Sequence, residues 1–532
     1  MAPPPADVSG PDGDRPDGDR PDRHLLGDAE LAIDAPGAAE VAVVPWPLLW
    51  RERVGRKIER HERYPWMVVS AALFGLFSVG FTITILSNSL TVISDDLHAP
   101  VSMLTWVITG PILAYAVLGP AAGKIGDVLG SRRVYLWSLV GVALFAGLTA
   151  MAWSGWSLIL FRVLGAGVGA ATGPASLAMI NKLFPRERRA QALGYWSLVA
   201  AGGPVIGVVI GAPIVEAYGW RWIFIAQVPM TLIALAVGFF VLPETDRHER
   251  TPFDVAGSVL LGGGVGAALV GLNRGPVLGW SNSFVVAMFV LAPLLLLWFV
   301  HVERTTDYPL IPLAYFRRRN FAFPIVNQFF TNFAYMGGFI ITPFLLQNVL
   351  GLSATHSGLL SIARPLAFSI AGPIAGYVTV RVGERTNAVA GALFIVASMV
   401  ALSRVGAGTS DLAVMGALAL SGIGMGTASP ALAAAIANSV DEKDLGVVSA
   451  AQQMVAQVGV VAGIQILLTV QAAREPVVGV AASYHATYLV GAGVALVGSV
   501  LALFVRNTRR PSMAQVPARD WDARQVAPSA GT

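Results

Sequence analysis

The sequence predicts an all-α membrane protein of fourteen transmembrane helices, two six-helix bundles with an inserted central helix pair. Three observations lead there. Only 13% of the 532 residues are charged and 55% are hydrophobic, with a mean hydropathy of +0.64; a soluble domain carries about 25% charged residues. The apolar residues gather in blocks close to the roughly 20 residues needed to cross about 30 Å of hydrocarbon. One stretch also occurs twice. Gly119-Pro120-Ala121-Ala122-Gly123, followed by Gly130 and Arg132, returns 253 residues later as Gly372-Pro373-Ile374-Ala375-Gly376, followed at the same distances by Gly383 and Arg385.

The blocks run roughly over 66–91, 102–122, 134–153, 156–181, 191–215, 221–242, 253–273, 283–302, 321–347, 356–380, 387–404, 411–437, 447–470 and 484–505. The repeat supports the count. Eight helices with short connections, about 32 residues each, fill the offset between the copies, whereas six would need long loops that are not visible. Residues 65–243 and 304–508 are therefore the expected bundles and 244–303 the inserted pair. With the N-terminus placed in the cytoplasm, the inner loops and flanks hold 25 Lys and Arg, and the outer loops hold 4: Arg221, Arg274, Arg404 and Arg474. The positive-inside rule then puts both termini in the cytoplasm, for a multi-pass protein of the plasma (inner) membrane.

The flanks differ in kind. Residues 1–45 contain the tract Pro11-Asp12-Gly13-Asp14-Arg15, which recurs as Pro16 to Arg20. Charged and rich in Pro and Gly, it cannot bury a core and is expected to be disordered, as is 509–532. Residues 46–64 are basic with interspersed Trp, Leu, Val and Ile. They read either as an interfacial helix on the inner leaflet or as a linker. No cleavable signal pattern is present. Cys is absent, and none of the seven His pairs with an acid at ligand spacing. No metal, cofactor or catalytic site is expected, so the chain is not read as an enzyme. Lys and Arg are spread over short loops, which argues for membrane topology and against a nucleic-acid partner. A duplicated helical membrane chain usually forms a transporter with its path between the halves, here expected to be a monomer in the bilayer.

The segment after block two reads Gly123-Lys124-Ile125-Gly126-Asp127-Val128-Leu129-Gly130-Ser131-Arg132-Arg133. It is expected to be a short basic loop whose glycines allow a tight turn and whose Asp127 can face the positive end of a helix. At this point the chain resembles the major facilitator superfamily, whose loop between spans two and three has this form and latches the halves in one state of the cycle. The resemblance implies that Asp127, Arg132 and Arg133 are gating residues, with Asp127 docking near the start of span thirteen. In the second copy Val380 stands where the acid would be.

Span four carries Arg162, then Gly165, Gly167, Gly169, Gly173 and Pro174. This run is similar to the family's span-four motif, which implies a coupling role for Arg162; a snorkelling anchor is the other reading. Span five, Gly202-Gly203-Pro204-Val205-Ile206-Gly207, continuing to Pro213, resembles the motif of exporters rather than importers, with Val208 where a second Gly is usual. Gly203, Pro204 and Gly207 are then gating positions. Trp220-Arg221-Trp222-Ile223-Phe224 and Pro243-Glu244-Thr245 resemble the ends of span six in drug exporters. Fourteen spans with these motifs resemble the drug:proton antiporter branch over residues 65–507. The resemblance implies alternating access, amphipathic small-molecule substrates and protons as coupling partner.

One position departs from that branch. Thr82 stands where it usually carries an Asp in mid-span one, and no Asp or Glu falls in the middle of any span. Asp95, Asp96, Glu216 and Asp254 all sit at span ends. Proton coupling is thus left without its usual group. The intramembrane cations are Arg162 and Arg364. One cavity holding both would favour an anionic, zwitterionic or neutral amphiphile over a lipophilic cation. Thr82, Thr84, Tyr115, Gln328, Asn332, Tyr335, Gln453 and Gln457 lie near mid-span. They are candidates either for the substrate path or for hydrogen bonds between helices. Three readings stand beside export: an importer, a flippase for lipid or anionic amphiphile, and a non-transporting membrane sensor or regulator.

Overall fold

Residues 61–244, apart from Phe81 and Thr105, and residues 254–507 are described by the computed structural model. The expected tails, and the expected interfacial segment up to residue 60, lie outside the described residues. Regular structure among the described residues is helical, because a membrane chain must satisfy its backbone groups within each segment. In chain order the helices are α1 (Tyr64–Gly80), α2 (Thr82–Leu97), α3 (Val101–Leu104), α4 (Trp106–Leu129), α5 (Ser131–Ala150), α6 (Gly155–Gly169), α7 (Thr172–Leu183), α8 (Arg189–Tyr218) and α9 (Arg221–Val241). There follow α10 (Val255–Leu278), α11 (Ser283–Thr305), α12 (Arg319–Asn348), α13 (Ala354–Ser361), α14 (Ala363–Val382), α15 (Glu384–Leu402), α16 (Asp411–Asn438), α17 (Leu445–Val478) and α18 (Val480–Ala502). A 3₁₀ turn, Leu313–Arg317, joins α11 to α12.

Twelve helical stretches among the described residues are long and apolar enough to cross a membrane, counting α6 with α7 and α13 with α14 as single stretches. The other two expected blocks are helical as well: the first is α1 with α2, and the fifth is α8. Side-chain caps start several helices. Ser154 caps α6 in a reciprocal pair with Ser157, Asp254 caps α10 and Ser410 caps α16, each satisfying an N–H that the first turn leaves free.

The repeat holds at the level of backbone and packing, but the expected loop is corrected. Helix α4 runs on to Leu129 and α5 begins at Ser131, so Gly130 alone makes the turn. Its mate Gly383 alone separates α14 from α15. Both have φ +93°, a conformation open to Gly and costly for other residues. Gly123 serves close approach rather than a turn. A Cβ there would lie 2.6 Å from the carbonyl oxygen of Gly446 on α17; one on its mate Gly376 would lie 2.6 Å from that of Ala190 on α8. The two copies therefore press the first half of the chain (α1–α9) and the second (α12–α18) together at one end of the molecule, α4 on α17 and α14 on α8.

The inserted pair packs helix on helix and against α4 and α17. Leu261, Val265, Leu269 and Phe299 join an apolar cluster with Ala116 of the first half and Val447 and Val448 of α17. The opposite face of α11 leaves Leu294, Leu297 and Trp298 more than half exposed, a surface suited to hydrocarbon rather than water.

Candidate functional site

Asp127 lies on the last turn of α4, buried at 6% exposure, against the first turn of α17. Its Oδ1 accepts from the Gly446 N–H at 2.9 Å and its Oδ2 from the Val447 N–H at 2.8 Å. These are N–H groups of a helix start, which have no partner inside the helix and point toward negative charge. The carboxylate thus joins the two halves of the chain directly. Arg132 is buried, with its guanidinium on Glu244 and the Phe239 carbonyl and over the Phe239 ring, all within the first half. Arg133 is exposed.

Beside this contact lies a second one that the sequence reading missed. Arg189, 2% exposed at the start of α8, donates to the carbonyl of Ala437 (3.2 Å) and to Asn438 Oδ1 (3.1 Å), and pairs with Glu442 at 3.6 Å. The signal was present, because Arg189 and Glu442 are separated by the same 253 residues as the two glycine stretches. Ser197 bonds Ser429 at 3.2 Å, and the hydroxyls of Tyr195 and Tyr377 meet at 3.3 Å.

A cavity of about 250 Å³ opens further along the molecule. It is walled by α1, α4, α5, α6, α8 and α9 of the first half and closed on the other side by Gln453 and Gln457 of α17. The wall is largely apolar, from Leu76, Ile108, Phe145, Phe161 and Phe224; Tyr115, Trp196, Gln227 and the two glutamines add hydrogen-bonding groups. Arg162 is the charged lining residue. One nitrogen reaches Thr82 Oγ1 at 3.4 Å, the guanidinium lies over the Phe224 ring at 5.6 Å, and Nε has no partner among the described residues. Tyr115 donates to Gln453 Oε1 at 3.0 Å, tying α4 to α17 at the cavity edge.

The structure separates the two arginines that the sequence put in one cavity. Arg364, fully buried, is held inside the second half. It donates to the Tyr335 carbonyl (3.2 Å) and Thr342 Oγ1 (3.4 Å) and lies over the rings of Tyr335 and Phe339. Tyr335 packs with Ala201, Phe368 and Met425, filling the space between halves at that level. Gln328 and Asn332 are buried, and Asn332 donates to the Gln328 carbonyl of its own helix. None of these four lines the cavity. Gly203 is buried on α8. Pro204 and Gly207 fall on the same helix, at positions whose side chains lie outside those described, as do those of Thr84 and Glu216. Asp96, at the far end of α2, accepts from Trp220 Nε1 at 3.1 Å and pairs with Arg221, which accounts for the Trp220-Arg221 motif as a bond within the first half. Among the described residues no group of three or more His, Cys, Asp or Glu could hold a metal.

The family model described as Major Facilitator Superfamily matches residues 72–261, 254–464 and 329–528. The chain is 32% identical over 341 residues to the tetracenomycin C resistance and export protein of Streptomyces glaucescens, covering 64% of this chain and 63% of that one. It is 29% identical over 412 residues to the multidrug transporter protein MdtP of Bacillus subtilis, covering 77% and 76%. Against the multidrug export protein EmrB of Escherichia coli K12 it is 30% identical over 295 residues, covering 55% and 58%. Among solved structures, the human organic anion transporter MFSD10 shares the fold with a TM-score of 0.62 at 18% identity, covering 82% of this chain and 99% of that one. The proton:xylose symporter XylE shares it with a TM-score of 0.58 at 14% identity, covering 81% and 94%. With a family match that runs over most of its length and a fold shared with these carriers, the chain is a member of the major facilitator superfamily.

Proposed function

We propose that the protein exports amphipathic small molecules across the inner membrane by alternating access, with two six-helix bundles rocking about a site between them. In this reading α1 with α2 and α8 complete fourteen crossings, and both termini are cytoplasmic. The observation that carries the proposal is the joint arrangement of cavity and contact. A largely apolar pocket with a few amide and hydroxyl groups lies between the halves, and Asp127 on the start of α17 closes them at one end. The charge bias assigns that end to the cytoplasm, so the arrangement corresponds to a carrier shut on its inner side. The resistance and export functions in the names of the relatives agree with this direction.

The lining also favours a substrate class. Its charged group is Arg162, and among the described residues no Asp or Glu lines the cavity. Among the described residues Nε of Arg162 has no partner, and Thr82 supplies only a hydroxyl. A buried guanidinium with no counter-charge among the described residues favours an anionic or neutral amphiphile over a lipophilic cation. The test is flux through the purified protein in lipid vesicles, with and without a pH gradient, using fluorescent anionic and cationic amphiphiles. Arg162→Gln is expected to lower flux of the anionic probe about tenfold and to change flux of the cationic one little. Equal transport of both probes by the wild type, with equal losses in the variant, removes the substrate assignment. Absence of substrate-dependent flux of any probe removes the export reading and leaves the sensor alternative.

A further inference from the structure

The connector between α11 and α12 takes no part in the cavity, yet its polar groups converge on the helix that receives Asp127. Glu303, 5% exposed on the last turn of α11, accepts through Oε1 from the N–H groups of Leu310 (3.1 Å) and Ile311 (3.4 Å), folding the connector back against the inserted pair. The Pro309 carbonyl then accepts from Lys124 Nζ at 3.2 Å, on the same last turns of α4 that carry Asp127. Leu310, Ile311 and Tyr315 enter the apolar cluster shared by the first half, the inserted pair and α17. Finally the Tyr315 hydroxyl donates to Asp444 Oδ2 at 2.6 Å.

Asp444 is the residue immediately before α17 and is 7% exposed. Two buried carboxylates, Asp444 and Asp127, therefore stand within electrostatic reach at one helix start. They repel each other and compete for the same partial positive charge. A hydroxyl donated into Asp444 offsets part of its charge. Tyr315 is fixed for that task. Burial, with the Asp444 carboxylate beside it, holds the phenol above its usual pKa, so it keeps the proton it donates. The Asp441 N–H donates to its oxygen at 3.4 Å, and the Arg318 guanidinium lies over its ring at 4.6 Å.

We propose that Tyr315 is a positioning residue of the inner gate: by holding Asp444 it leaves the start of α17 to Asp127, and through the connector it makes the inserted helix pair part of the gate. This rests on the alternating-access reading. The test uses the full-length protein, which has no Cys to remove. Spin labels go on Leu129→Cys and Val382→Cys, exposed positions at the inner ends of α4 and α14, and pulsed electron resonance reads the distance between them. The labelled protein is expected to show mainly the short distance of the closed end.

Tyr315→Phe raises the long-distance population about threefold. Adding Asp444→Asn, which removes the charge that Tyr315 held, brings it back; a purely packing role for the phenol would give no such return. Asp127→Asn serves as the control. If it leaves the distances unchanged, the latch reading itself fails. If it shifts them while Tyr315→Phe does not, or if Asp444→Asn brings no return, the assignment of Tyr315 falls and the latch stands. Should Tyr315→Phe not fold, Asp444→Asn alone decides. It lowers the long-distance population if the assignment holds, and an unchanged or raised population overturns it.

Discussion

The two copies of the repeated stretch use one backbone to make two different contacts. Around Gly123 and around Gly376 the geometry is matched: a bare glycine lets a helix approach a carbonyl of the opposite half, and a glycine at φ +93° ends the helix seven residues on. The side chains differ. The first copy carries Asp127, whose two oxygens take two helix-start N–H groups. The second has Val380, packed beside Leu193 and other apolar side chains of α8 and its surroundings. Close approach is therefore common to both contacts, whereas the charged bond belongs to one. A charge held by backbone donors can be exchanged for water when the helices part, while apolar packing is non-directional and tolerates sliding. In the alternating-access reading both contacts release when that end opens, and the charged one, between α4 and α17, is the one whose bonds water can take over.

The largest expected effect tests what the copies share. Gly123→Val and Gly376→Val each drive a side chain into a backbone carbonyl that cannot withdraw, costing the closed arrangement about 3 kcal/mol. Both should abolish flux in vesicles to a similar degree. A large loss from only one of them would break the equivalence of the two approaches. Next comes what they do not share. Asp127→Asn keeps the shape but removes the charge, weakening the closed end by about 2 kcal/mol. Flux should fall at least tenfold while the thermal midpoint in detergent moves by only a few degrees. Smallest is Val380→Ala, a partial loss of packing worth about 1 kcal/mol, expected to leave flux within about twofold of the parent. A Val380→Ala defect as severe as that of Asp127→Asn would erase the distinction drawn between the copies.

Much of this architecture was legible in the sequence because duplication writes the same demand twice. Gly130 and Gly383 stand out at matched spacing, and both make the same left-handed turn. Asp127 was readable in another way: a carboxylate suits the positive end of a helix, and the family resemblance implied that this end is the start of span thirteen. The helical continuation of α4 to Leu129 was not readable. Gly126, Lys124 and Asp127 are poor fillers of an apolar block, so the block ends early, and the contacts of Gly123 and Asp127 with α17 and of Lys124 with the connector show why the helix persists. The separation of Arg364 from Arg162 was hidden too. Buried membrane helices are apolar on most faces, so a lone polar residue in mid-span does not reveal which way it points. Arg189 and Glu442 were legible and overlooked, since the 253-residue offset joins opposite charges there.

The central claim is that the halves must part at the Asp127 end for each molecule carried. Tyr195 and Tyr377, whose rings meet across the halves at that end, give the most direct test. Both are replaced by Cys in this otherwise Cys-free chain and bridged with a cleavable bifunctional thiol reagent, and vesicle flux is followed. Flux should stop when the bridge forms and return when it is cleaved. Undiminished flux through the bridged protein would contradict the account.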